Sequence, residues 1–298
     1  MKLLLVVALA CVPALAFGDV WWQSDMDTDA GWVIRNHADT AYTWGWDFTT
    51  MGIPASPGGS TTGLKMEANI TAGAAAYVWA VTEQRFVGQY AVEFDMWINA
   101  NGPFPGGGTG STEFIGGGIG RADPLWAMNG GSLIITGEGG SSTDYRLYKN
   151  TGLQYPESGQ YDAGNVTGAN NNSHPYYADY FPGQAAPQYQ QDNYPQQTGT
   201  LYDGTIGFAW RHMVITVDSA AGTANFAVDG LSIGTLDANI GSPFELAGRA
   251  QLIYADLFTS VSDNAALSFG VFDNFVITPE PTSLVLLALG GVSLLRRR

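Results

Sequence analysis

Two carboxylates and a tryptophan lie on one face of a predicted β-strand over residues 89–99. Side chains of a strand point alternately to opposite faces, so Glu93, Asp95 and Trp97 lie together on the face away from the core. This combination can bind a sugar, because the ring stacks on the pyranose while the acids accept hydroxyl hydrogen bonds. We therefore predict a carbohydrate-binding face here. The alternative is that another segment covers this face and buries Trp97.

Three aspartates alternate near the predicted start of the mature chain. Asp25, Asp27 and Asp29 precede Gly31, a spacing that presents several oxygen ligands to calcium. The segment departs from an EF-hand loop, since no helices flank it and Asn36 stands where that loop has glutamate. The sequence predicts a structural calcium as its only candidate cofactor, and a solvated acidic turn is the alternative.

The other residue types exclude several classes of function. His37, His174 and His212 lack the spacing of metal ligands. We interpret His212, which follows Arg211 on a predicted strand, as a surface or edge residue. The chain has a net charge of −15, and so acidic a surface repels nucleic acid.

The segments that position these residues are predicted strands. The chain contains 39 glycines and 12 % aromatic residues, a composition typical of short strands joined by turns. In residues 89–99 the even-numbered side chains from Tyr90 to Ile98 are apolar and are expected in the core. Asp229-Gly230 predicts a two-residue hairpin, and residues 101–120 are predicted to form a loop. Further strands are predicted at about residues 64–70, 75–81, 132–136, 144–148, 210–218, 223–228, 231–236, 250–258 and 268–278.

These strands define one β-sandwich domain over residues 17–278, interrupted by a long insertion at about residues 150–205. The insertion is polar, rich in tyrosine and punctuated by proline. A loop of this length inside one domain is either functional or disordered. Its aromatic content argues against complete disorder.

The second half of the domain resembles a known family. The segments W-R-H-M-V-I-T-V-D from Trp210, N-F-A-V-D-G-L-S-I-G-T from Asn225 and F-D-N-F-V-I from Phe272 are similar to the concanavalin A-like, or laminin-G-like, jelly roll. The resemblance implies an all-β jelly-roll β-sandwich whose N- and C-terminal strands pair. It also implies that Asp273 joins Asp25 or Asp27 at a structural calcium between these strands.

The same resemblance bears on catalysis. Laminarinase-like glycosidases of this fold place three acids on one strand, as E-x-D-x-E or E-x-D-x-x-E. Retaining hydrolysis needs two carboxyl groups about 5 to 5.5 Å apart. Here Trp97 and Ile98 occupy the third position of the two patterns, and neither can donate a proton. We therefore predict that the protein is not an enzyme, and the alternative is a polysaccharide-active hydrolase or lyase of this fold.

Residues 1–16 form a predicted signal peptide. Lys2 supplies the positive charge, an apolar run follows, and Ala14-Leu15-Ala16 matches the small-x-small cleavage pattern. Export by the general secretion machinery is therefore expected. Cleavage after Ala16 removes Cys11, the only cysteine, so the mature chain would hold no disulfide or thiolate site. The alternative is a lipoprotein that is lipidated on Cys11.

The last twenty residues combine prolines, an apolar run and arginines. Pro279, Glu280 and Pro281 precede the apolar run, and the chain ends in Arg296-Arg297-Arg298. In this order, residues 279–298 resemble the PEP-CTERM sorting signal of Gram-negative bacteria. The run of about fourteen residues is short of the roughly twenty that span a bilayer, and terminal arginines stay on the cytoplasmic side. The resemblance implies cleavage by an exosortase-type membrane protease, and an ordinary tail anchor is the alternative.

These inferences together predict an exported, non-enzymatic protein of the cell surface or extracellular matrix that binds polysaccharide through its jelly roll. Its apolar C-terminal helix would hold it briefly at the inner membrane before transfer to the outer envelope. The expected partners are the secretion machinery, an exosortase and an extracellular polysaccharide.

Overall fold

The computed structural model describes residues 20–71, 73–121 and 128–279, which form an all-β sandwich of two antiparallel sheets. The predicted signal peptide and residues 280–298 of the predicted sorting signal lie outside the described residues, as do both predicted terminal helices. The helices within the described residues are short, and none combines the length and apolar character needed to cross a bilayer.

The described residues contain fifteen strands and two short α-helices. The strands are β1 (Trp22–Ser24), β2 (Trp32–Asn36), β3 (Thr40–Asp47), β4 (Thr62–Ala68), β5 (Ala76–Thr82), β6 (Tyr90–Asn99), β7 (Phe114–Arg121), β8 (Gly131–Thr136), β9 (Tyr145–Lys149), β10 (Gly152–Leu153), β11 (Arg211–Asp218), β12 (Thr223–Val228), β13 (Leu231–Asp237), β14 (Arg249–Asp256) and β15 (Phe269–Pro279). The helices are α1 (Pro175–Ala178) and α2 (Gln188–Asn193), and 3₁₀ turns lie at Phe48–Met51, Pro156–Ser158 and Ala265–Leu267. Sheet A has the order β13-β12-β11-β6-β15-β4-β3, with β1 also paired to β15, and sheet B has the order β10-β9-β8-β7-β14-β5-β2.

Two predicted pairings are confirmed. Strand β1 pairs with β15, with Trp22 opposite Ile277, so the first and last described strands are neighbours. Strands β12 and β13 form a hairpin across Asp229-Gly230. Both turn residues have positive φ, +50° and +85°, the conformation that a two-residue hairpin turn requires.

The core lies between the sheets and confirms the alternation predicted for β6. The even-numbered side chains of this strand are all buried in the central apolar cluster: Tyr90, Val92, Phe94, Met96 and Ile98. The odd-numbered side chains face outward, yet Asp95, Trp97 and Asn99 are also buried. One end of the outer face of sheet A is therefore covered.

The predicted insertion provides this cover and is folded rather than a structureless loop. Ala186 and Leu201 pack with Trp97 in a second apolar cluster, and the fully buried Gln190 in α2 donates to Asn99 Oδ1 at 2.7 Å. The Tyr177 ring stacks on Tyr145 with centroids 3.8 Å apart. The insertion thus packs against β9 of sheet B as well as covering one end of sheet A.

Residues 101–120 were predicted to be a loop, but they include most of β7, and β1 to β3 were not predicted as strands from the residue pattern. Glycines make up half of β7 and concealed it, because glycine normally weakens strands. The structure explains one of them. A Cβ on Gly117 would lie 2.6 Å from the Phe94 ring, so the close approach of the two sheets requires glycine there.

Candidate functional site

A histidine joins the two predicted acids on the outer face of sheet A. Strand β11 lies beside β6, with His212 directly opposite Asp95. His212 Nδ1 is 2.8 Å from Asp95 Oδ1, and its Nε2 is 3.3 Å from Glu93 Oε2. Both ring nitrogens are therefore held by carboxylates. We call Glu93, Asp95 and His212 the acid–imidazole cluster.

The two carboxylates keep this imidazole charged. The hydrogen bond to Asp95, followed by the one to Glu93, raises the pKa of His212 to about 10. His212 is thus an imidazolium at neutral pH, and the cluster carries one net negative charge. The Asp95 side chain is only 5 % exposed, whereas that of Glu93 is 33 % exposed. Glu93 is consequently the acid that a ligand can reach.

Asn274 completes the hydrogen bonding of Asp95. Its Nδ2 donates to Asp95 Oδ2 at 2.7 Å and to Ser56 Oγ at 3.3 Å. Asn274 lies at an irregularity of β15 and has a φ of +52°. A Cβ on Gly58 would be 2.8 Å from Asn274 Oδ1, so residues 54–59 form a close-fitting wall beside the cluster.

The aromatic residue at this site is Trp210 rather than Trp97. Trp97 is 3 % exposed, so the predicted stacking of Trp97 on a sugar is wrong for this structure; the insertion and Trp210 cover it. Trp210 is partly exposed and precedes β11 on the same face as His212. Its Nε1 donates to the Pro54 carbonyl at 2.8 Å, and its ring lies edge-on to Trp97, with centroids 5.9 Å apart. The indole is thereby fixed in orientation beside the acid–imidazole cluster.

A row of mostly short side chains crosses the outer face of sheet A through Glu93, and we call this row the trough. Cross-strand register places six outward-facing residues in one row: Gln23, Val276, Glu93, Val214, Ala227 and Ser232. Six strands spaced about 4.8 Å apart make the row roughly 24 Å long. At the β1 end it opens into a groove of about 470 Å³, whose lining includes Asp25, Asn274 and Val276.

The four aspartates predicted to bind calcium are not gathered into one site. Asp25 lines the groove, and its Oδ1 accepts from the Asp27 backbone at 3.2 Å, while Asp27 and Asp29 are exposed. Asp273 is buried in β15 opposite Asp95. In the part of the chain that the structure describes, no three His, Cys, Asp or Glu residues are placed to hold a metal ion. Calcium therefore stays a prediction without a defined ligand set.

Sequence reasoning missed Trp210 and His212 as site residues. Both occupy outward positions of an alternating strand, which the sequence shows. What it does not show is that β11 neighbours β6 in a register that sets His212 against Asp95. His212 does lie at the surface, with 43 % of its side chain exposed, but its hydrogen bonds to two acids were not predicted. Of the predicted sorting-signal residues, Pro279 is described and ends β15 opposite Tyr90.

Comparison with known proteins gives likeness of shape only. No family model matches the sequence, and no curated protein matches it. A Bacillus subtilis protein of unknown function with a galectin-like fold has a TM-score of 0.44 at 11 % identity, over 88 % of this chain and 97 % of that chain. The carbohydrate binding module CBM66 from Bacillus subtilis has a TM-score of 0.40 at 8 % identity, over 83 % and 95 %. A glycosyl hydrolase family protein from Mycobacterium fortuitum has a TM-score of 0.42 at 11 % identity, over 87 % and 99 %.

These similarities are too low to carry a functional argument. The class of the protein depends on its own strand pairing, which is that of a two-sheet antiparallel β-sandwich.

Proposed function

We propose that this protein binds a linear polysaccharide along the trough of sheet A and works outside the cell, without catalysing a reaction. The observation that carries the proposal is the position of Trp210 beside the acid–imidazole cluster. A partly exposed, oriented indole can stack on a sugar ring, while the reachable Glu93 carboxylate can accept hydrogen bonds from hydroxyl groups. The row of short side chains leaves space for further units of the same chain.

The acid–imidazole cluster supports binding better than hydrolysis. A glycosidase needs one carboxyl group that is protonated and able to give up its proton to the leaving group. Here His212 hydrogen-bonds to both acids, and its own pKa of about 10 makes it a weak proton donor at neutral pH. The expected result on soluble glycans is therefore retention without new reducing ends. Reducing ends that vanish in Glu93→Gln would instead establish the hydrolase alternative.

Replacing Trp210 by alanine is expected to weaken glycan binding by at least about thirtyfold, because stacked aromatic residues are frequent hot spots worth about 2 kcal/mol or more. Binding is measured by affinity electrophoresis and titration calorimetry on a panel of bacterial and algal polysaccharides. Tyr155→Ala removes an exposed aromatic ring that follows β10 of sheet B and serves as the control. Equal affinity of both variants for the retained glycan would contradict the proposed site.

Export to the cell surface or matrix is the second part of the proposal, and it is supported by the sequence of the two terminal segments. The concanavalin A-like jelly-roll resemblance belongs to the same proposal. The mature protein is expected to begin at Phe17 and to lack Arg298, because an exosortase-type protease would remove the tail. Mass determination of the protein from each cell fraction checks this. Native protein that still carries Arg298 in the membrane fraction would establish a permanent tail anchor instead.

A further inference from the structure

The basic residues of sheet A are all paired with acids. The eight strands of this sheet contain Lys65, Arg211 and His212 as their only basic residues. Lys65 Nζ is 2.7 Å from Glu67 Oε1, and Arg211 Nη1 is 3.0 Å from Asp229 Oδ2. The His212 ring lies between the two acids of the cluster. Because a carboxylate neutralises each of these cations, none of them attracts an acidic ligand.

Several carboxylates of the same face lack a compensating cation. The acid–imidazole cluster has two acids for one imidazolium, and Glu93 is its reachable member. Asp25 is exposed at the groove that continues the trough. The trough and its groove therefore have a negative potential.

We infer that the polysaccharide bound here carries free amino groups on its sugar units. The inference rests on the proposed function and names the ligand class of that site. An ammonium group gains Coulomb energy beside Glu93 or Asp25, whereas a uronate or a sulfate would be repelled and would lose hydration without a partner. A neutral sugar gains only hydroxyl hydrogen bonds to these acids, without the Coulomb attraction of a full positive charge.

The two reachable acids lie close enough together for one oligosaccharide to reach both. Gln23, Val276 and Glu93 are successive members of the row, so β1 and β6 are separated by two strand spacings, roughly 10 Å. Asp25 lies just beyond the end of β1, at the groove end of the trough. An ammonium at Glu93 and another near Asp25 can therefore belong to the same polymer.

A matched pair of pentasaccharides tests the inference. The probes are the β-1,4-linked glucosamine pentamer and its fully N-acetylated form, which share a backbone and differ in charge. We expect the amino form to bind about tenfold more tightly at low salt, with the difference shrinking as salt screens it. Glu93→Gln and Asp25→Asn should each lose most of the preference. Glu83→Gln, on the side of sheet B, changes the net charge equally and should keep it.

The outcomes separate this inference from the proposed function. If the N-acetylated pentamer or other neutral glycans bind as tightly as the amino form, at all salt concentrations, the inference is overturned while sheet A remains a binding face. The inference also fails if Glu93→Gln weakens both probes by the same factor. If neither pentamer nor any glycan of the panel is retained, the proposed function itself is wrong. Circular dichroism of each variant confirms that the sandwich is folded.

Discussion

Glu138→Gln is expected to make the protein about 4 kcal/mol more stable at pH 8 while leaving its stability near pH 4.5 almost unchanged. Glu138 is 1 % exposed, and hydrogen bonds from the Thr112 hydroxyl and the Gly140 backbone offset only part of the cost of burying its carboxyl group. Burial raises the pKa of Glu138 from 4.5 to about 8. The carboxyl group is therefore protonated in the folded protein at neutral pH.

The direction of the pH dependence follows from this raised pKa. Between pH 4.5 and about 8 the unfolded chain ionises at Glu138 but the folded protein does not. The stability is therefore complete below pH 4.5 and declines as the pH rises toward 8. Glu113 is also buried, and burial raises its pKa well above the ordinary value, so it acts in the same direction. Glutamine has nearly the same shape and cannot ionise, which removes the Glu138 contribution.

Urea unfolding of the wild type and Glu138→Gln at pH 4.5, 6 and 8 measures this effect. The wild type should lose free energy of unfolding across the series, and the variant should lose clearly less. Glu83→Gln, at an exposed position, is the matched control and should follow the wild type. A wild type that gains stability from pH 4.5 to 8, with the variant parallel to it, would show that Glu138 is ionised in the fold.

His212→Ala is expected to destabilise the protein by about 2 kcal/mol at pH 6, in addition to weakening glycan binding. The substitution leaves Asp95 buried with Asn274 as its remaining side-chain partner and leaves Glu93 without a cation. Removal of one partner from a buried ion pair typically costs about 3 to 5 kcal/mol. We expect less here because the His212 side chain is 43 % exposed and solvent screens its charge.

The pH dependence of this variant distinguishes lost charge from lost packing. The hydrogen bonds to Asp95 and Glu93 raise the pKa of His212 from 6.5 to about 10. Its charge-dependent stabilisation is therefore complete below pH 6.5 and is lost as the pH rises toward 10. The difference between wild type and His212→Ala should narrow over that interval in thermal or urea unfolding. His37→Ala, which removes an exposed ring, should show neither the loss nor the narrowing. A difference that stays constant from pH 6 to 10 would assign the effect to packing alone.

The strand alternation in residues 89–99 predicted both faces of β6 correctly because side-chain direction follows from chain geometry alone. The hairpin at Asp229-Gly230 was predicted from local turn chemistry. The pairing of the terminal strands was predicted from the family resemblance. The glycine-rich β7 was missed because its strand conformation is imposed by neighbours. Gly117 has no side chain to indicate a strand, and only the approach of Phe94 explains it.

The chemistry of the binding face divides in the same way. The residue pattern was enough to establish an acidic, all-β chain and to place Glu93 and Asp95 together, because these properties depend on composition and on neighbours along the strand. Trp210, rather than Trp97, is the accessible indole because the folded insertion buries Trp97. The insertion is distant in sequence from β6, so the local pattern could not show this. The pairing of His212 with both acids required the β6–β11 register, which no local pattern encodes. Burial and cross-strand contacts depend on residues that are far apart along the chain. Only the tertiary structure therefore shows that His212 pairs with Glu93 and what net charge the acid–imidazole cluster carries.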